Sequence, residues 1–141
     1  RSFYNLHLKG STVSKGLNLL PDIPCYILKK NQILVSISAL DFSFMVEHNL
    51  SDIFKILHNY KLKVNLIQNS ALSFSVCIED KFNNFERFLS KIKLNFNVSF
   101  VKGVSLFTIR NATQKSIKLV EEKEDILLKQ STKGTVQLVM Q

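Results

Sequence analysis

The chain has 141 residues, enough for one domain or for two small ones sharing a core. Its hydrophobic content of 45% and charged content of 21% are ordinary globular values, and no apolar run reaches the roughly 18 to 20 residues that span a bilayer. The net charge of +8 rests on scattered lysines, with only Arg1, Arg87 and Arg110 as arginines, a pattern that argues for solubility rather than for nucleic-acid readout.

The first residue is Arg1 and no basic-then-apolar signal segment follows, so the chain is expected to be a piece of something longer. Residues 1–22 read as irregular, with a short strand at 11–14 and a proline-bounded connector at 19–24. A strand is expected at 25–28 and a turn at Lys29-Lys30-Asn31. From 32 to 38, Ile33, Val35 and Ile37 alternate with Leu34, Ser36 and Ser38, which predicts a central strand covered on at least one face.

A helix is expected to open at 49–52, capped by Asn49 or Ser51, with Leu50, Ile53, Phe54 and Leu57 on one face. Residues 61–67 and 72–78 alternate with period two and predict strands, the first at a sheet edge. A second helix is marked by an apolar stripe of Phe82, Phe85, Phe88, Leu89 and Ile92, and a strand by 98–101. Strand, helix, strand, strand, helix, strand is the order of a ferredoxin-like unit, with both helices on one face of an antiparallel sheet. The cycle then restarts: a strand at 104–109, a helix at 113–120, and a hairpin of 125–129 and 135–139 around Lys133-Gly134. The second unit lacks a strand, which 25–28 can supply. The expected fold class is therefore α+β: two interlocked βαββαβ units, with antiparallel sheets and helices on one face of each.

Cys25 and Cys77 sit in apolar, strand-like settings and read as buried free thiols of a reducing compartment. With His7, His48 and His58 they lack metal-ligand spacing. His48 has no nucleophile beside it, and the four glycines form no phosphate cradle, so neither catalysis nor a bound nucleotide is expected here.

Ser2-Phe3-Tyr4-Asn5…Gly10-Ser11-Thr12-Val13, then residues 64–70, 72–76, 106–110 and 131–139, taken in that order, are similar to the regulatory region of aspartate kinase. Asn5 to Val13 resembles the segment that closes the kinase domain, usually Asn-Pro…Gly-Thr-x-Ile, without its proline. Val64-Asn65-Leu66-Ile67-Gln68-Asn69-Ser70 resembles the effector strand, and Leu72-Ser73-Phe74-Ser75-Val76 the strand that follows. Residues 106–110 and 131–139 resemble the variant in enzymes of Bacteroidetes-type bacteria. The resemblance implies tandem ACT units: 1–15 as kinase tail and linker, 32–102 as the first unit, and 16–31 plus 103–141 as the second. It also implies feedback inhibition by lysine and/or threonine, a cytoplasmic homodimer joined through the first unit, and an upstream kinase domain holding ATP and magnesium. This chain would then carry no catalytic residue and no cofactor, and would meet neither nucleic acid nor membrane.

The implied effector site joins three groups. The helix start at Asn49 and Leu50 would take an α-carboxylate. The loop with Asp41, Phe42 and Ser43 would take an α-ammonium, with Asp41 as its partner. Val64, Asn65, Gln68, Asn69 and Ser70 would meet the effector side chain. Read blandly, Asp41 is a solvated loop residue, Asn65 an outward edge residue and 68–70 a plain turn. Asn65 stands where the family's effector strand commonly carries an acid, and Ala71 where lysine-sensing members often carry a glutamate, so lysine and threonine both stay open. An RNA-binding ferredoxin-like domain is the alternative, because Lys102-Gly103-Val104-Ser105-Leu106-Phe107 is similar to an RRM signature.

Overall fold

The computed structural model describes residues 4, 5, 7, 10, 15, 23–41, 43–122 and 125–141. The strand expected at 11–14, most of the 19–24 connector and the candidate site residue Phe42 lie outside the described residues.

Among the described residues nine elements follow in order: β1 (Cys25–Ala39), α1 (Glu47–Asn59), β2 (Lys63–Asn69), β3 (Ser73–Glu79), α2 (Phe85–Ile92), β4 (Phe96–Arg110), α3 (Gln114–Glu121), β5 (Ile126–Thr132) and β6 (Thr135–Met140). The strands form one antiparallel sheet in the order β2-β3-β1-β4-β6-β5. The first half, β2-β3-β1-β4, carries α1 and α2. The second half repeats the strand order with β5, β6, the C-terminal part of β4 and the N-terminal part of β1, and carries α3. This is the expected α+β, ferredoxin-like arrangement, and Cys25–Leu28 pair with Arg110–Phe107 of the second half.

Two expected sheets are thus one, because two expected breaks are bulges. Lys29-Lys30-Asn31 has turn composition, yet Asn31 takes a left-handed φ of 56° and β1 continues. Opposite, Gly103 has a φ of 74° and joins two expected strands into β4. Each strand carries one extra residue here, and the two cancel. Cys25 faces Arg110 at one end and Ala39 faces Phe96 at the other, with the same register on both sides.

The alternation of β1 now has a physical cause. Ile33, Val35, Ile37 and Ala39 are buried under α1 and α2 with Phe74, Val76, Ile78, Phe88 and Ile92. On the opposite face Leu34 joins Leu66, Cys77, Val104, Leu106 and Val139, a cluster drawn from both halves of the sheet. Farther along that face, the Ser36 and Ser75 hydroxyls bond each other at 2.8 Å. A third cluster lies beneath α3 and contains Ile109, Val120, Val136, Leu138 and Met140.

Two helix starts differ from expectation. Helix α1 begins at Glu47, two residues early, because the Val46 N–H donates to Asn49 Oδ1 at 3.1 Å and fixes the first turn from inside it. Helix α2 begins at Phe85, where Asp80 accepts from the N–H groups of Asn84 and Phe85 through its two oxygens. Phe82 therefore lies before the helix, 62% exposed, and does not belong to the buried stripe. Its ring lies 5.9 Å from the Lys61 ammonium. Helix α3 is capped as a Ser/Thr start should be, with Thr113 Oγ1 accepting from the Ser116 N–H.

Candidate functional site

The sheet brings three segments to one end of the first half. Strand β1 ends at Ala39, the chain turns through Leu40 and Asp41, and α1 starts at Glu47. Strand β4 starts at Phe96, paired with Ala39, so Asn95 of the α2–β4 connection arrives beside the same loop. Between them lies an open cavity of about 650 Å³ whose walls include Asp41, Ser43, Phe44, His48, Asn49 and Asn95.

The polar groups of this cavity are set locally. Asp41 Oδ1 accepts from the Ser43 N–H at 3.0 Å, an Asx-type turn. Hydrogen bonds from Ser43 hold the Asp41 carboxyl below its ordinary pKa, so it is a carboxylate across the neutral and mildly acidic range. Asn49 spends its carbonyl oxygen on Val46. The first turn of α1 leaves backbone N–H groups without an intrahelical acceptor. Glu47 in that turn tempers the positive end of the dipole. The cavity therefore offers one carboxylate to a cation and one helix start to an anion.

The turn at 68–71 abuts this loop, since the Met45 N–H donates to the Ala71 carbonyl at 2.9 Å. Ser70 closes the turn itself: its Oγ accepts from the Ser73 N–H at 3.1 Å. Gln68 and Asn69 are exposed at the end of the edge strand β2. Leu50 and Val64 are half-buried and pack against the core under α1 and α2, so their side chains serve that core.

Asn65 and its neighbour Val64 are not brought to the helix start, where Asp41, Ser43 and Asn49 line one cavity, a correction to the single pocket expected from sequence. Asn65 lies between Val64, which faces Ile78, and Leu66, which faces Cys77, and is the extra residue of a bulge. Ile78 in turn faces Ile33. Asn65 thus lies at the Ile33 end of β1, roughly 20 Å along the strand from Ala39 and the Asp41 loop. Its Oδ1 accepts from Lys29 Nζ at 2.7 Å and its Nδ2 donates to Gln32 Oε1 at 2.6 Å. Gln32 is 2% exposed, and its Nε2 donates to the Lys30 carbonyl at 3.0 Å.

Sequence reasoning missed Phe44, Asn95 and the wall position of His48. No local motif marks them; only the Ala39–Phe96 register brings Asn95 in. Among the described residues, no three His, Cys, Asp or Glu side chains gather to hold a metal ion, and no helix is long and apolar enough to cross a membrane. Phe74, an aromatic of β3 that a base could stack on only if it were exposed, is 1% exposed and packs edge-on to Phe54.

No protein-family model and no curated protein matches the chain. Solved structures do. A C-terminal regulatory domain of aspartate kinase from Porphyromonas gingivalis W83 superposes with a TM-score of 0.69 at 14% identity, over 84% of this chain and 86% of that one. Clostridium acetobutylicum aspartate kinase gives 0.67 at 20% identity, over 82% of this chain and 30% of that one. Escherichia coli aspartokinase III, solved with lysine and aspartate, gives 0.64 at 16% identity, over 81% of this chain. The chain spans 28% of the length of that enzyme. At these identities the likeness establishes the fold: it is that of aspartate kinase regulatory regions.

Proposed function

We propose that this chain is the regulatory, amino-acid-binding part of an aspartate kinase. In this reading it binds lysine and/or threonine and conveys feedback inhibition to a kinase domain upstream, where ATP and magnesium act. The observation that carries the reading is the cavity beside α1, where the Asp41 carboxylate and a helix start face one space. A free amino acid is a small metabolite with one anion and one cation to match. The shared fold supports the regulatory role, and the E. coli enzyme solved with lysine supports an amino acid as ligand. The reading includes tandem units bounded as the resemblance implies, a cytoplasmic setting and a homodimer through the first half of the sheet. For that dimer the seam is the edge strand β2, whose outer backbone groups need partners.

An effector regulates only through its different affinity for two states, and a coupling of about 1–3 kcal/mol is typical. Calorimetry of the chain against lysine, threonine and methionine tests the reading. Asp41→Asn should weaken binding about 10- to 150-fold, the value of a charge-assisted bond. Because hydrogen bonding keeps Asp41 ionised below the usual carboxylate range, binding should persist at mildly acid pH. Asn65→Ala should act on stability more than on affinity, since it strands the buried Gln32 carbonyl oxygen. Unchanged affinity in Asp41→Asn for every amino acid that binds would reject this pocket. Light scattering that finds only monomer at high concentration would reject the seam.

A further inference from the structure

The two bulged strands repeat one another. In β4, Lys102 precedes Gly103, and Phe100 lies two residues before Lys102. In β1, Lys30 precedes Asn31, and Leu28 lies two residues before Lys30. Gly103 and Asn31 are the left-handed bulge residues of their strands. In the first half the surface made by Phe100 and Lys102 is filled by α2. The Phe85 ring meets Phe100 edge-on, with centroids 5.1 Å apart. The Lys102 ammonium lies 5.0 Å from the Phe85 ring and pairs with Glu86, the next residue. In the second half no helix of the described residues stands where α2 stands in the first. The corresponding surface is a groove of about 520 Å³ between the sheet and α3, walled by Tyr26, Leu28, Lys30, Phe107, Leu119 and Met140. Tyr26, Leu28 and Leu119 are 50%, 46% and 51% exposed. The Lys30 ammonium forms no ion pair among the described residues.

We propose that this groove docks an amphipathic helix of a partner polypeptide, one that presents an aromatic residue followed directly by an acidic one. The aromatic ring covers Tyr26 and Leu28 as Phe85 covers Phe100, and the carboxylate pairs with Lys30 as Glu86 pairs with Lys102. Charge complementarity favours such a helix over a wholly apolar ligand, because the groove ends at a cation. Helix-in-groove recognition by a few spaced anchors is the physical mode.

A helix-stapled peptide copying residues 84–93 carries the required pair and is the probe; the staple offsets the weak helicity of so short a segment. Titrated into the isotope-labelled chain, it should shift the amide signals of Leu28, Lys30, Phe107 and Leu119 saturably. Glu86→Gln in the peptide, or Lys30→Ala in the chain, should weaken binding roughly two- to fivefold, the range of an exposed ion pair. Leu119→Asp, an exposed position, should abolish it. Lys102→Ala should leave it unchanged. No saturable shift at millimolar peptide, shifts centred elsewhere, or equal binding of a scrambled peptide would overturn the proposal. So would the same residues shifting with chain concentration alone, which would make the occupant a second copy.

Discussion

On the first half of the sheet, α1 and α2 together bring Val35, Ile37, Val76, Ile78 and Phe88 to zero exposure, whereas on the second half α3, the one helix there among the described residues, leaves Tyr26 and Leu28 about half exposed. Both halves have the same strand order and share β1 and β4. The strand order therefore does not decide how dry the helix-bearing face is: among the described residues two helices dry one half of it, and one helix leaves part of the other exposed. The first half gains a continuous core that positions the Asp41 loop, and the second keeps an apolar surface open.

The comparison can be broken most forcefully at the core. Phe88→Ala should cost about 3–5 kcal/mol, and Leu28→Ala less than about 1 kcal/mol, read from urea midpoints. Equal losses would mean that the groove is as well packed as the core under α2. The next largest effect tests the junction. Gly103→Ala should cost roughly 1–2 kcal/mol, wholly from the backbone, because a Cβ there meets nothing within 4 Å. Gly134→Ala, with a φ of 75° and equal space, should cost the same. A much greater loss at Gly103 would show that the junction depends on more than its dihedral angles.

Removing a helix cap compares the halves more gently. Asp80→Ala on α2 and Thr113→Ala on α3 should each cost about 1 kcal/mol, with Asp80 the larger because it accepts from two N–H groups. Reversal of that order, measured by thermal unfolding, would count against the capping account of α2. The smallest effect at neutral pH concerns Cys77, between the halves. Burial pushes its thiol from 9.0 up to about 11, against a smaller lowering by the Lys29 ammonium. The folded state then holds this proton more tightly than the unfolded chain. Cys77 thus adds nothing to the pH dependence at neutrality, and stability falls between about pH 9 and 11. Cys77→Ala should lack that part of the alkaline decline. In the native chain a thiol reagent at pH 8 should modify Cys25 and spare Cys77.

The strands were legible because burial on one face leaves a period-two record, as in Ile33, Val35 and Ile37. The continuity of β1 and β4 was not, because Lys29-Lys30-Asn31 and Lys102-Gly103 have the same composition in a bulge as in a turn. Only a partner strand that bulges at the same level tells them apart. Helix α1 was displaced by two residues because Asn49 bonds back to Val46 from the first turn rather than standing in front of it. That Asp41 is the carboxylate of the loop after β1 could be read from sequence. That Asn65 turns toward Lys29 and Gln32 could not, since its direction depends on a one-residue slip between β2 and β3.

The pairing of β1 with β4 has a consequence for synthesis. Strand β1 is among the first elements of this chain to leave the ribosome, and Cys25 meets its partner only when Arg110 has been made. At about 5–20 residues per second, those intervening residues take roughly 4 to 17 seconds to appear. For that time the segment Cys-Tyr-Ile-Leu, and for a shorter time the segment Ile-Leu-Val-Ser-Ile, whose β4 partners are Lys102 to Val98, have an unsatisfied edge and a strong tendency to stack with other nascent chains. Lys29 and Lys30 lie between the two, a pair of like charges that interrupts the run before it reaches aggregating length. The bulge that lets one strand serve both halves is thus also where the sequence can hold charge during that wait.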